Sequence, residues 1–175
     1  MLTPASNKEL TRLTERQTGR LCVLLIFLFL VFPSATYGQS FGFSAGGGSV
    51  PLTLTTATAG AEPNSASDTS TQVTWDADFG VTSKITVSTI CIDQDYSLTV
   101  ELLIISSGSG GNELGPIVLI DGMAETDLLT NIPFTSPARV GTGTLTYVAS
   151  ATVADGNSSD NGDDIHTVTL TLTAQ

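Results

Sequence analysis

From residue 39 onward, apolar and polar residues alternate with a period of two and not at helical spacing. The alternation is clearest in the segments 71–79, 96–105, 143–153 and 166–174, where Thr, Asp and Ser fill the second face. We expect Trp75 to plug the core between two sheets. The residues predicted to face inward along these segments are Val73, Trp75, Ala77, Phe79, Tyr96, Leu98, Val100, Leu102, Ile104, Leu145, Tyr147, Ala149, Ala151, Val153, His166, Val168, Leu170, Leu172 and Ala174.

Weaker patterns predict further strands at 49–58, 84–92 and 117–120, whereas 126–134 suits either a strand or a crossing connection. Gly, Ser, Asn and Asp clusters separate these segments and favour turns. Strands with one apolar face are typical of antiparallel sheets, because parallel strands are apolar on both faces. The sequence therefore predicts an all-β fold, an antiparallel Ig-like sandwich of two sheets with about seven or eight strands.

The first 38 residues have the order of a secretory signal peptide: a basic region, a short apolar run and small residues. The run LCVLLIFLFLVF would span only about 18 Å as a helix, against about 30 Å of hydrocarbon in a bilayer. We expect cleavage after Gly38, with cleavage after Ala35 and an uncleaved anchor as alternatives. The predicted organisation is then a helical signal peptide at 1–38, a flexible Gly-rich segment at 39–48 and a β-sandwich domain at 49–175.

Cleavage after Gly38 leaves a strongly acidic chain of 137 residues. Only Lys84 and Arg139 remain as basic residues beside 15 acidic ones, a formal net charge of −13. Such a charge disfavours nucleic acids and anionic membranes as partners. A single cysteine, Cys91, also remains, so no disulfide within the chain is expected, and its strand-like neighbours TICI indicate an inert core thiol.

The acidic segment ADGNSSDNGDD near the end of the chain raises the question of a calcium site. The nearest hand-type frame begins at Asn157 instead of Asp and would end on Val168 instead of Glu, so that motif is excluded. Two interpretations remain: a solvated hairpin loop, and a looser cation site. The candidate metal ligands in the second case are Asp155, Asp160, Asp163 and Asp164, with calcium as the candidate cation.

No arrangement of residues predicts an enzyme. His166 has no GxSxG partner, and one histidine with one cysteine does not complete a zinc shell, so we expect a half-buried structural histidine without a second ligand. The close carboxylates are interpreted as solvated acidic edges, and no organic cofactor is expected. These carboxylates are Asp76 with Asp78, Asp93 with Asp95, and Asp121 with Glu125 and Asp127.

The segment GTGTLTYVASATVADGNSSDNGDDIHTVTLTLTAQ, residues 141–175, resembles the closing hairpin of secreted bacterial pilin-like and spore-coat-protein-U-like domains. Those domains end in a Thr/Val-rich strand after a polar turn. The resemblance implies a non-enzymatic, exported Ig-like sandwich that serves as a surface or appendage subunit. The chain differs from them in keeping only Cys91 after cleavage and not a disulfide.

Two functional hypotheses follow. The first is an exported structural or adhesive β-sandwich protein, extracellular or in a bacterial cell envelope, that self-associates or meets a surface partner through the edges of 49–58 and 166–174. The second is a secreted binding module for a cation such as calcium, or for a glycan, that acts through the acidic loops.

Overall fold

Two antiparallel β-sheets make up the part of the chain that the structure, a computed structural model, describes: residues 38–54, 61–152 and 164–175. All of them belong to one compact unit, Tyr37–Gln175. The predicted signal peptide lies outside the described residues apart from Gly38. Among the described residues no helix has the length and apolarity that a membrane span requires.

One sheet has five strands in the order β1-β2-β8-β4-β6, and the other has four in the order β5-β7-β3-β9. The strands are β1 (Ser40–Ala45), β2 (Ala66–Asp76), β3 (Ser83–Ile90), β4 (Ser97–Ile104), β5 (Asn112–Glu113), β6 (Ile117–Leu119), β7 (Thr126–Ile132), β8 (Val140–Ser150) and β9 (Thr167–Ala174). Only β1 and β2 follow each other within one sheet, and after each strand from β2 to β8 the chain crosses to the other sheet. The prediction of an all-β fold with two antiparallel sheets is confirmed. The described residues contain nine strands where about seven or eight were expected, because β1 and the two-residue β5 were not predicted.

The core contains residues from both sheets, as a sandwich-like arrangement requires. Trp75 and Leu102 of the first sheet are 1% exposed, and Ile85 and Leu129 of the second are fully buried. Burial of each such side chain contributes about 1.5–3 kcal/mol. The alternation in β2, β4 and β8 therefore predicted the buried face correctly.

The prediction of a strand at 49–58 is wrong for the residues that the structure describes, since residues 49–54 form no strand. Pro51 explains the difference, because proline has no N–H to donate to a ladder. Val50, Leu52 and Leu54 nevertheless pack against the core. The edge strand at this end is instead β1, within the segment 39–48 that was expected to be flexible, where Phe41 pairs with Trp75.

Candidate functional site

The register between β3 and β9 brings the single histidine of the chain next to its buried cysteine. The two strands pair without interruption, from Ser83 opposite Ala174 to Ile90 opposite Thr167. If this register is continued by one residue, Cys91, directly after β3, falls opposite His166, directly before β9. The end of this ladder is therefore the place where two metal-binding side chain types meet.

Asp164 completes a group of three at this end of the ladder. One potential ligand atom each from Cys91, Asp164 and His166 lies within 4.8 Å of the other two. Cys91 is 1% exposed, whereas Asp164 and His166 are half-buried. The protein covers the group on the side of the Cys91 thiol, whereas water reaches it on the side of Asp164 and His166.

Backbone amides fix the carboxylates around this group. Oδ2 of Asp164 accepts hydrogen bonds from the backbone N–H of Asp95, at 3.0 Å, and of Tyr96, at 2.9 Å. Oδ1 of Asp121 accepts a hydrogen bond of 2.7 Å from the backbone N–H of Cys91. Hydrogen bonds from amides to a carboxylate are short and strong because the acceptor is charged. The start of β9 is thus tied to the connection between β3 and β4.

Gln94 joins the connection between β3 and β4, whose amides bind Asp164, to the connection between β6 and β7, which carries Asp121. Its Nε2 donates to the carbonyl oxygens of Tyr96 and Leu119, both at 2.9 Å. Its Oε1 accepts from the backbone N–H of Asp121, also at 2.9 Å. One half-buried amide side chain therefore satisfies three backbone groups and sets the distance between the loops.

The protonation of the group follows from burial and from its carboxylates. Burial raises the pKa of the Cys91 thiol, and Asp164 and Asp121 raise it further. Burial lowers the pKa of His166, against the opposing effect of the same two carboxylates. Nδ1 of His166 also lies 3.3 Å from Oγ1 of Thr89. In the absence of a cation, the thiol is protonated at neutral pH and the environment favours a neutral imidazole.

This environment does not suit nucleophilic catalysis by Cys91, because a catalytic thiol needs a lowered pKa and access for a substrate. The group does bring a sulfur, a ring nitrogen and a carboxylate oxygen close together. Two further potential ligands, Cys91 and Asp164, thus lie beside His166, where the sequence led us to expect none. The sequence argument counted only histidine and cysteine as zinc ligands and left out the carboxylate. Cys91 is buried, but it has polar rather than purely apolar neighbours.

The four predicted calcium ligands are only partly described. Asp155, Asp160 and Asp163 lie outside the described residues. Asp164 is described, and its Oδ2 binds two backbone amides. Its carboxylate thus stands beside Cys91 and His166, a ligand set different from the all-carboxylate one that the sequence suggested.

Two of the acidic groups interpreted as solvated edges instead form ion pairs. Arg139 lies between Asp76 and Asp78, with its Nε 2.9 Å from one carboxylate and its Nη1 2.8 Å from the other. Nζ of Lys84 lies 2.8 Å from Asp127. Both basic residues of the described ranges are therefore engaged away from the Cys91 group.

The remaining acidic residues have different surroundings. The Glu125 carboxylate accepts a hydrogen bond of 3.3 Å from Thr86, and the backbone amide of Asp95, not its carboxylate, donates to Asp164. Asp93 is exposed and has a positive φ of 57°. Asp93 therefore matches the interpretation of a solvated acidic turn.

Three comparisons were made, with models of protein families, with curated proteins and with solved structures. None of them found a protein or family that matches this chain.

Proposed function

We propose that the chain is an exported, non-enzymatic structural protein, an Ig-like β-sandwich of the cell surface or extracellular space, that associates with further copies through the free edge of β9. The observation that carries this proposal is the character of that edge. Export rests on the predicted signal peptide at 1–38. The resemblance of 141–175 to secreted pilin-like and coat-protein-like domains points in the same direction.

Among the described residues, the edge of β9 lacks the charges, proline and irregular pairing that commonly protect a strand from pairing. Its sequence, TVTLTLTA, contains no charge and no proline. Its ladder with β3 is regular over all eight residues, and no described strand pairs with its other side. A long, regular and uncharged edge is a template for main-chain hydrogen bonds with another chain.

The other sheet edges among the described residues are less suited to this role. The β1 ladder is irregular between Phe43 and Ala45, which twists that edge. β5 and β6 have only two and three residues. Edge pairing by this domain is therefore expected at β9 first.

The side chains of β9 also favour an added strand. Val168, Leu170 and Leu172 are half-buried on the core side, so a further strand would cover the apolar surface that they still expose. The net charge of −13 expected for the exported chain opposes association, whereas β9 itself is neutral. Salt screens that repulsion, so association should strengthen as ionic strength rises.

The test is the mass of the exported form in solution. We expect sedimentation velocity and light scattering to show oligomers that grow with concentration and salt. The substitution Thr169→Lys puts a charge on an exposed position of β9 and should return the protein to a monomer. Thr135→Lys, on an exposed loop, is the matched control and should associate like the wild type.

A strictly monomeric wild-type protein at high concentration and high salt would remove the basis of the proposal. So would equal association of Thr169→Lys and the wild type. Sequencing of the N-terminus of the exported form tests the signal peptide in the same sample, and a start at Met1 would contradict the predicted cleavage.

A further inference from the structure

We propose that Cys91, Asp164 and His166 form a binding site for a transition metal ion, with zinc as the ion that best fits this set of ligands. The site lies where the β3–β9 ladder ends. It differs from the acidic calcium site suggested by the sequence in its residues and in the class of metal.

The chemistry of the three donors selects the metal. Sulfur and imidazole nitrogen are ligands of zinc and its transition-metal neighbours, whereas calcium and magnesium require oxygen ligands. Zinc bonds of about 2.0–2.3 Å place tetrahedral ligand atoms roughly 3.3–3.8 Å apart. The three atoms already lie within 4.8 Å of one another, so a contraction of about 1 Å completes the arrangement.

The local charge balance gives an independent reason for a cation at this point. Three acidic residues, Asp95, Asp121 and Asp164, lie around the end of β3. There the Asp164 carboxylate accepts a hydrogen bond from the Asp95 amide, and the Asp121 carboxylate accepts one from the Cys91 amide. Both basic side chains in the described part of the chain bind other carboxylates, Lys84 at Asp127 and Arg139 at Asp76 and Asp78. A divalent cation would supply the positive charge that no described side chain provides here.

The surroundings hold the ligands as a metal site requires. Two amides position Oδ2 of Asp164, which leaves the second carboxylate oxygen able to bind. The Thr89 hydroxyl contacts one ring nitrogen of His166, the kind of outer contact that orients a ligating imidazole. The Cys91 backbone is fixed by Asp121. Binding releases the thiol proton to solvent, the neutral imidazole donates its lone pair, and water occupies the fourth position.

The test uses the exported form, reduced with a phosphine and freed of metal by dialysis against a chelator. We expect calorimetry to show one equivalent of Zn²⁺ bound per chain and the melting temperature to rise with Zn²⁺ but not with Ca²⁺. Co²⁺ should give the thiolate-to-metal charge-transfer absorption of a sulfur ligand. Zn²⁺ should also slow the reaction of Cys91 with a thiol reagent in the wild-type protein.

Three ligand variants and one control locate the site. Cys91→Ser, His166→Gln and Asp164→Asn should each weaken Zn²⁺ binding by at least about tenfold. Asn at 164 keeps an acceptor for the two amides, and melting without metal identifies any variant that fails to fold. The control Asp93→Asn removes the same charge from an exposed residue two positions after Cys91 and should bind like the wild type.

Three results would overturn the proposal: no Zn²⁺ binding by the wild type, unchanged binding by Cys91→Ser and His166→Gln, or an equal loss in Asp93→Asn and Asp164→Asn. The last result would mean that the general negative charge around the site, and not a defined ligand set, attracts the ion. The wild-type thiol reaction keeps the test decisive if a variant does not fold.

Discussion

The indole ring of Trp75 occupies the space that a side chain on Gly141 would need. The two residues are cross-strand partners in the β2–β8 ladder, and a Cβ on Gly141 would overlap the six-membered ring. Because Trp75 is 1% exposed, the ring cannot move into solvent. We expect Gly141→Ala to lower the free energy of unfolding by about 1–3 kcal/mol, measured by urea denaturation.

Gly42 provides the matched control for this substitution. It also lies in a strand, β1, but a Cβ at this position would meet no atom within 4 Å. Gly42→Ala should leave stability unchanged or raise it by up to about 1 kcal/mol, because alanine restricts the unfolded chain. Equal stability of the two variants would show that the space beside Trp75 is not limiting.

Arg139 should contribute more to stability than the other ion-paired cation. Its guanidinium neutralises both Asp76 and Asp78, and all three side chains are less than a third exposed. Arg139→Met leaves two neighbouring carboxylates without a cation, so we expect a loss of about 1–2 kcal/mol in thermal or urea unfolding.

Lys84→Met is the comparison, since Lys84 has one partner, Asp127, which is more exposed than either partner of Arg139. This change should cost at most about 1 kcal/mol. High salt should reduce the difference between the two variants by screening the repulsion of Asp76 and Asp78. A cost for Lys84→Met equal to that for Arg139→Met would contradict the shared role of the guanidinium.

Most of the sheet architecture follows from local pattern. In β2, β4 and β8 the period of two marks the buried face directly, because a strand with one covered face must alternate. The pattern gave a wrong prediction of a strand at 49–54, where apolar and polar residues do alternate but Pro51 prevents strand pairing. It also missed β1, because Phe41 and Phe43 lie among glycines that usually indicate flexible chain.

The candidate site was less predictable because its residues meet only through tertiary pairing. Cys91 and Asp164 are far apart in sequence, and the alternation of β3 and β9 does not reveal that these two strands are partners. The relevant sequence features were a cysteine just after one strand and a histidine just before another. They become informative only when the register of that pair is known.

Gln94 should control the geometry around the candidate site. Gln94→Ala removes hydrogen bonds to Tyr96, Leu119 and Asp121, so we expect a loss of about 1–3 kcal/mol in unfolding free energy. Hydrogen exchange should quicken at the backbone amides of Asp121 and Cys91, whose loop loses its anchor. Gln94→Glu keeps the acceptor for Asp121 but turns a carboxylate towards the carbonyl oxygens of Tyr96 and Leu119, so it should not restore the lost stability. Identical exchange in wild type and Gln94→Ala would contradict this role.

The raised pKa of Tyr147 predicts that stability falls at alkaline pH. Burial, aided by the charge of its cross-strand partner Asp68, raises the pKa of Tyr147 to about 12 from 10.0. The unfolded chain therefore loses this proton at a lower pH than the folded chain. The contribution of Tyr147 to the free energy of unfolding is fully present below pH 10 and is lost as the pH rises towards 12, a fall of about 2–3 kcal/mol. Urea unfolding between pH 8 and 11 covers the first half of this fall, about 1.4 kcal/mol. Tyr147→Phe retains the buried ring without the ionising hydroxyl, so the stability of this variant should decline less steeply with pH than that of the wild type. Parallel declines in the two proteins would show that other groups cause the effect.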